Sequence, residues 1–183
     1  MKTLLVTLGL LASLSWGFAQ ETAKSKEEAK PAPTYVGTSK CMLCHKGEAK
    51  GNVYEKWLES KHSNAFKVLV DKKDGSEKKP ECLACHTTGF NKGGYVLGAE
   101  NASLYEGVGC ESCHGPGSDY RVIHAKDVEA AVKVGFVPKP NEQTCIQCHN
   151  KNSPTFKGFN FAEMVKKIDH KYRKAKVETP AEK

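Results

Sequence analysis

Residues 107–124 read GVGCESCHGPGSDYRVIH, from Gly107 to His124. Cys110, Cys113 and His114 form a Cys-x-x-Cys-His box, the attachment pattern of a c-type haem. Two thiols add across the haem vinyl groups, and the adjoining imidazole takes one axial position of the iron. Glycines flank the box on both sides, so the backbone can run close to a flat macrocycle. The same device occurs at Cys41–His45, Cys82–His86 and Cys145–His149, and the four boxes use all eight cysteines.

Two zinc ribbons, or four short disulfides, would employ the same thiols. A Cys₄ zinc site has no need of a histidine after every second cysteine, yet four of the seven histidines stand in that place. The reading is therefore four covalently attached haems c. They are bound through Cys41, Cys44, Cys82, Cys85, Cys110, Cys113, Cys145 and Cys148, with His45, His86, His114 and His149 as iron ligands.

Outward from the boxes, residues 1–19 (MKTLLVTLGLLASLSWGFA) have one Lys, an apolar run and small residues near the end. That is a secretory signal with cleavage expected after Ala19, and the run is too short for a retained anchor. Cys-x-x-Cys-His proteins are completed outside the cytoplasm, so the expected location is the periplasm. Residues 20–34 are rich in Lys, Glu, Ala and Pro and read as a flexible tether, and residues 174–183 as a disordered tail. Residues 35–173 remain as one tetrahaem domain. The apolar fraction, 39%, lies below the usual 45–50% or so, so the macrocycles must complete the core. The expected fold is mainly α with much irregular loop, a single domain wrapped around four haems with little or no sheet. Box spacings differ, which excludes a solenoid.

The second axial ligands come from the remaining histidines. Residues 48–70 carry the strongest helical pattern, with Tyr54, Leu58, His62, Phe66 and Val70 in one i, i+4 row. Tyr120, His124, Val128 and Val132 form another such row. His62 and His124 are thus inward-facing ligand candidates. A last helix over about 159–174 puts Phe161, Val165, Ile168 and Tyr172 on one face, and His170 lies off that face. Four irons with two imidazoles each need eight histidines, and the chain has seven. At least one iron is five-coordinate or takes another ligand, for which Met164 or a lysine is available.

The net charge of +7 is largely a counterweight to haem propionates, and it does not argue for nucleic acid. No nucleophile triad, phosphate loop or carboxylate pair competes with the redox reading. Glu111, Asp119 and Glu163 read as surface groups or propionate neighbours.

Several landmarks, in order, resemble the tetrahaem cytochrome c-554 family. They are Ser39-Lys40-Cys41, Trp57 with His62, the second box followed by Gly89-Phe90 and Lys92-Gly93-Gly94-Tyr95, the run from Gly107 to Gly117 with His124 behind it, and Phe161-x-Glu163-Met164-Val165 before a final histidine. The resemblance implies a mostly helical fold, three haems with two histidine ligands and one five-coordinate haem at the second box. It implies His45 paired with His124, His62 with His149, and His170 with His114, leaving His86 alone. It also implies electron transfer from hydroxylamine oxidoreductase towards the membrane. The expected function is a periplasmic relay of single electrons between redox protein partners, a donor and a membrane-linked or reductase acceptor, with no membrane span. Two other readings stand beside it: binding or reduction of a nitrogen oxide (NO, hydroxylamine or nitrite) at an open second haem, and a subunit of an extracellular cytochrome filament.

Overall fold

In a computed structural model of the chain, residues 31–170 are described. The predicted signal, most of the tether and the tail lie outside them. Eight α-helices follow one another among these residues: α1 (Thr38–His45), α2 (Val53–Glu59), α3 (Ala65–Asp71), α4 (Pro80–His86), α5 (Cys110–His114), α6 (Val128–Lys133), α7 (Glu142–Ile146) and α8 (Phe161–Ile168). Thiols three residues apart share one face only on a helix, which is why every box falls on or at the end of one. α1, α4 and α5 end in their box histidines, whereas α7 holds Cys145 and stops short of Cys148. No strand forms among the described residues, where a bridge between Thr87 and Glu106 supplies the extended pairing.

The helices are short because the chain starts and stops them locally. Pro80 opens α4 at a position where its missing N–H costs nothing. Asp127, Asn141 and Asn160 cap α6, α7 and α8 by accepting backbone N–H bonds from Ala130, Thr144 and Glu163.

The long helix expected over residues 48–70 is instead broken into a 3-10 turn (Glu48–Lys50), α2 and α3. Gly51 and Asn52 adopt positive φ (75° and 50°) before α2. After α2 the hydroxyls of Ser60 and Ser63 donate to the carbonyls of Trp57 and Leu58, at 2.6 and 2.7 Å. Serines that satisfy carbonyls in this way compete with the helical ladder, so His62 lies in a turn and Leu58 and Val70 of the expected row are exposed. The row from Tyr120 to Val132 is interrupted likewise: His124 lies in a run of turns, and Asp127 restarts the helix.

The apolar core is small. Leu69, Leu83, Tyr95 and Tyr105 form its centre, with Tyr35, Phe66, Phe90 and Ala102 packed around them. An extended segment, residues 34–37, runs against the start of α1 and the third box. The Thr34 N–H donates to Ser118 Oγ (2.9 Å), and the Ser118 N–H returns a bond to the Thr34 carbonyl (3.1 Å).

Candidate haem centres

Three imidazole pairs are assembled from positions far apart in sequence. His45 ends α1, and its ring stacks with that of His124 at a centroid separation of 5.7 Å and 19° between planes. Their Nε2 atoms are 3.4 Å apart. His62 faces His149 at 6.0 Å, and His114 faces His170 at 6.0 Å. Two imidazoles sharing one metal, with metal–nitrogen bonds of about 2 Å, hold their nitrogens about 4 Å apart, and the His45–His124 pair is close to that arrangement. His86 stands differently. Its Nδ1 is 2.6 Å from the Ala65 carbonyl, and among the described residues no imidazole ring is seen stacked or edge-on against it.

Each pair is held by its backbone. The turn carrying His62 is fixed by the Val108 N–H, which donates to the His62 carbonyl at 2.9 Å. Trp57 ties α2 to the same residue, its indole N–H donating to the Val108 carbonyl at 2.9 Å. Gly107 makes this approach possible, because a Cβ there would lie 2.5 Å from the Ser63 carbonyl oxygen, and its φ of +78° suits glycine. His124 sits one turn beyond Tyr120, whose ring meets it edge-on at 5.9 Å. His170 follows the end of α8 at Ile168, so helical periodicity no longer governs where it points. It is half-buried rather than exposed.

The loops on either side of the fourth box supply partners that the sequence did not signal. The Val137 carbonyl lies 2.7 Å from His114 Nδ1, and the Val137 N–H donates to the His114 carbonyl at 3.0 Å. Phe136 stacks on His114 at 5.9 Å, and Phe159 stacks on His149 at 4.8 Å. A carbonyl on Nδ1 fixes the tautomer and leaves Nε2 as the ligating atom. Ala65 and Val137 act through their backbone, which any residue type could supply, and so they leave no mark in the sequence.

The donor chemistry suits a metal. Burial lowers the pKa of His45, His62 and His114, with neighbouring imidazoles adding to the effect in all three and the Val137 carbonyl opposing it at His114. All three are thereby held in the neutral form that binds metal. The thiols cluster across boxes. The Cys41 and Cys110 thiols influence each other's ionisation, as do those of Cys85 and Cys148. Burial pushes the Cys113 thiol up to about 11, with Cys145 beside it adding to the rise. Cys110, Cys113, His114 and His170 share the wall of one cleft with Trp57 and His62. Cys110 and Cys113 would hold a haem covalently, and the imidazoles of His114 and His170 on the same wall would supply nitrogen donors to its iron, so these residues fit a haem. Met164 sits on α8, 37% exposed.

Glu111 corrects the sequence reading. It is 1% exposed and lies under the 34–37 segment rather than at the surface. Its carboxylate accepts the N–H groups of Val36 (2.9 Å), Gly37 (2.8 Å) and Gly117 (2.7 Å).

Four Cys-x-x-Cys-His boxes on or at the ends of short helices, with imidazoles gathered from distant loops, define a multihaem c-type cytochrome. Comparison with known proteins agrees. A family profile described as "Cytochrome c554 and c-prime" matches residues 40–115. Cytochrome c-554 of Nitrosomonas europaea is 31% identical over 214 aligned residues, which cover 96% of this chain and 88% of that protein. The solved structure of the reduced state of cytochrome c554 from Nitrosomonas europaea is similar with a TM-score of 0.58 and 26% identity, covering 78% of this chain and 86% of that one. The chain belongs to the cytochrome c-554 family. It is a c-type cytochrome electron carrier, and its cofactors are four covalently attached haems c.

Proposed function

We propose that the chain is a periplasmic relay passing single electrons between a donor oxidoreductase and a membrane-linked or reductase acceptor. The family relationship supports the carrier role, and the residues at the boxes support the relay. A c-type haem supplies a centre that gains and loses one electron. The thiols of Cys41 and Cys110, of Cys113 and Cys145, and of Cys148 and Cys85 lie within electrostatic reach of one another. The attachment points are therefore neighbours in the order first box, third, fourth and second. That continuity is the observation carrying the proposal. In this reading His45 and His124, His62 and His149, and His114 and His170 serve as ligand pairs, and the eight cysteines as attachment points. A hydroxylamine-oxidising donor is the partner suggested by the family. Among the described residues no helix is long and apolar enough to cross a membrane, and the signal read in residues 1–19 gives the periplasmic address.

The test is low-temperature EPR of the oxidised holoprotein, followed by NO titration of the reduced form. Three low-spin signals, one high-spin signal and one NO bound per chain are expected. His62→Ala should convert one further low-spin signal and raise NO uptake to two per chain. An unchanged low-spin count in that variant would overturn the ligand assignment. Four low-spin signals with no NO uptake would mean that Met164 or a lysine caps the second box. Reductive titration should take up four electrons per chain, and fewer would count against the relay.

A second reading, nitrogen-oxide binding or reduction at the second box, is favoured by one observation. His86 is bonded to a backbone carbonyl and has no facing imidazole among the described residues. Turnover of NO, hydroxylamine or nitrite that survives His86→Met unchanged would remove it.

A further inference from the structure

We propose that Glu111 is a fixed buried anion that lowers the reduction potentials of the first- and third-box haems relative to the other two. The proposal rests on haem attachment at these boxes and goes beyond it, since it assigns a role to a residue that neither attaches nor ligates.

Glu111 occupies the first x of the third box, between Cys110 and Ser112. Its carboxylate reaches out of α5 to the start of α1. Oε2 accepts from the N–H of Gly37, the residue that precedes the first-box helix, and Oε1 accepts from Val36 and Gly117. The thiol of Cys110, its neighbour, lies within electrostatic reach of that of Cys41. One side chain thus stands at the root of two box helices at once. The second and fourth boxes have leucine-alanine and isoleucine-glutamine between their cysteines, with no carboxylate.

A side chain 1% exposed is little screened by salt or water, so its field reaches its neighbours at low effective dielectric. The Tyr35 and Tyr120 hydroxyls are pushed up by burial first and, in part, by Glu111. The cation acting on Cys41 is Arg121, which is exposed and therefore screened. An oxidised iron centre carries one more positive charge than a reduced one, so a fixed anion nearby favours the oxidised form and lowers the potential. The three N–H groups stabilise the carboxylate against the cost of burial, and a carboxylate oxygen can only accept from them. A glutamine in its place would turn an amide N–H towards one of those donors.

Glu111→Gln keeps the size and removes the charge. In an EPR-monitored redox titration of the holoprotein, the first- and third-box haems should become easier to reduce by about tenfold, ~59 mV for one electron. The second- and fourth-box haems should move by less than about threefold, ~28 mV on the same scale. Glu111→Asp keeps the charge and shortens its reach. It should lower thermal stability while leaving all four potentials within about threefold of wild type, ~28 mV. A Glu111→Gln protein in which the first and third haems do not move, or all four move together, overturns the proposal. So does a tenfold shift in Glu111→Asp, which is read alone if the glutamine variant does not assemble. Haem content, counted as the pyridine haemochrome, tests the attachment reading separately. Four haems per chain with unshifted potentials would refute the role of Glu111 and leave attachment standing.

Discussion

The Thr88 hydroxyl serves three partners. It donates to the Gly107 carbonyl at 2.9 Å and accepts from the Gly109 N–H at 2.8 Å and the Ser112 hydroxyl at 3.2 Å. With 2% exposure, it joins the end of the second box to the entry of the third. Thr88→Val keeps the shape and leaves the Gly107 carbonyl and Gly109 N–H unpaired, which should cost about 1–3 kcal/mol. Denaturant unfolding of the holoprotein checks this, and a loss below about 0.5 kcal/mol would mean that water replaces the hydroxyl. The boxes could be read one residue at a time because their chemistry is written in the residue type, whereas His62 and His124 were picked out by helical rows that the structure breaks. Glu111 could not be read in either way. Its burial depends on the 34–37 segment folding over it, some 75 positions away in the chain, and no local pattern records that.

The sequence reading placed no helices on the boxes, although an attachment motif dictates its own local geometry. The connecting helices were read, but with the wrong bounds. Periodicity over residues 48–70 suggested one continuous helix, but Gly51, Asn52, Ser60 and Ser63 break it twice, through positive φ and side-chain bonds to carbonyls. The apolar row was real as composition and is not realised as a surface. His62 nevertheless reaches His149, because the turn that interrupts the helix is itself fixed by Gly107 and Val108. Gly107→Ala would place a Cβ 2.5 Å from the Ser63 carbonyl at a φ of +78°. It should cost roughly 1–3 kcal/mol and push the His62 turn outwards. The expected signature is a partial loss of one low-spin EPR signal. Lower stability with all low-spin signals intact would show that the turn moves as a unit with its histidine. His170 makes the converse point: its helix ends two residues earlier, and the end of a helix is harder to read from sequence than its face.

At the scale of the molecule, the fold class was legible because few apolar residues and four attachment boxes leave little room for anything but short helices around haems. The described core, centred on Leu69, Leu83, Tyr95 and Tyr105, agrees. Ending the chain after Ile168 should remove one imidazole pair and leave the other two. NO uptake by the reduced protein should then rise from one to two per chain, and an unchanged uptake would show that His170 is dispensable. The three pairs join residue 45 to 124, 62 to 149 and 114 to 170. Drawn as arcs over the sequence, each crosses both of the others. A single cut anywhere between His114 and His124 parts the members of all three. No contiguous half of this chain can therefore be excised as a smaller cytochrome with a completed pair on each side of the cut. A chain threaded N-terminus first across a membrane closes its first pair only after residue 124 has emerged. The three pairs then close in turn as residues 124, 149 and 170 emerge, each only after both of the others have begun.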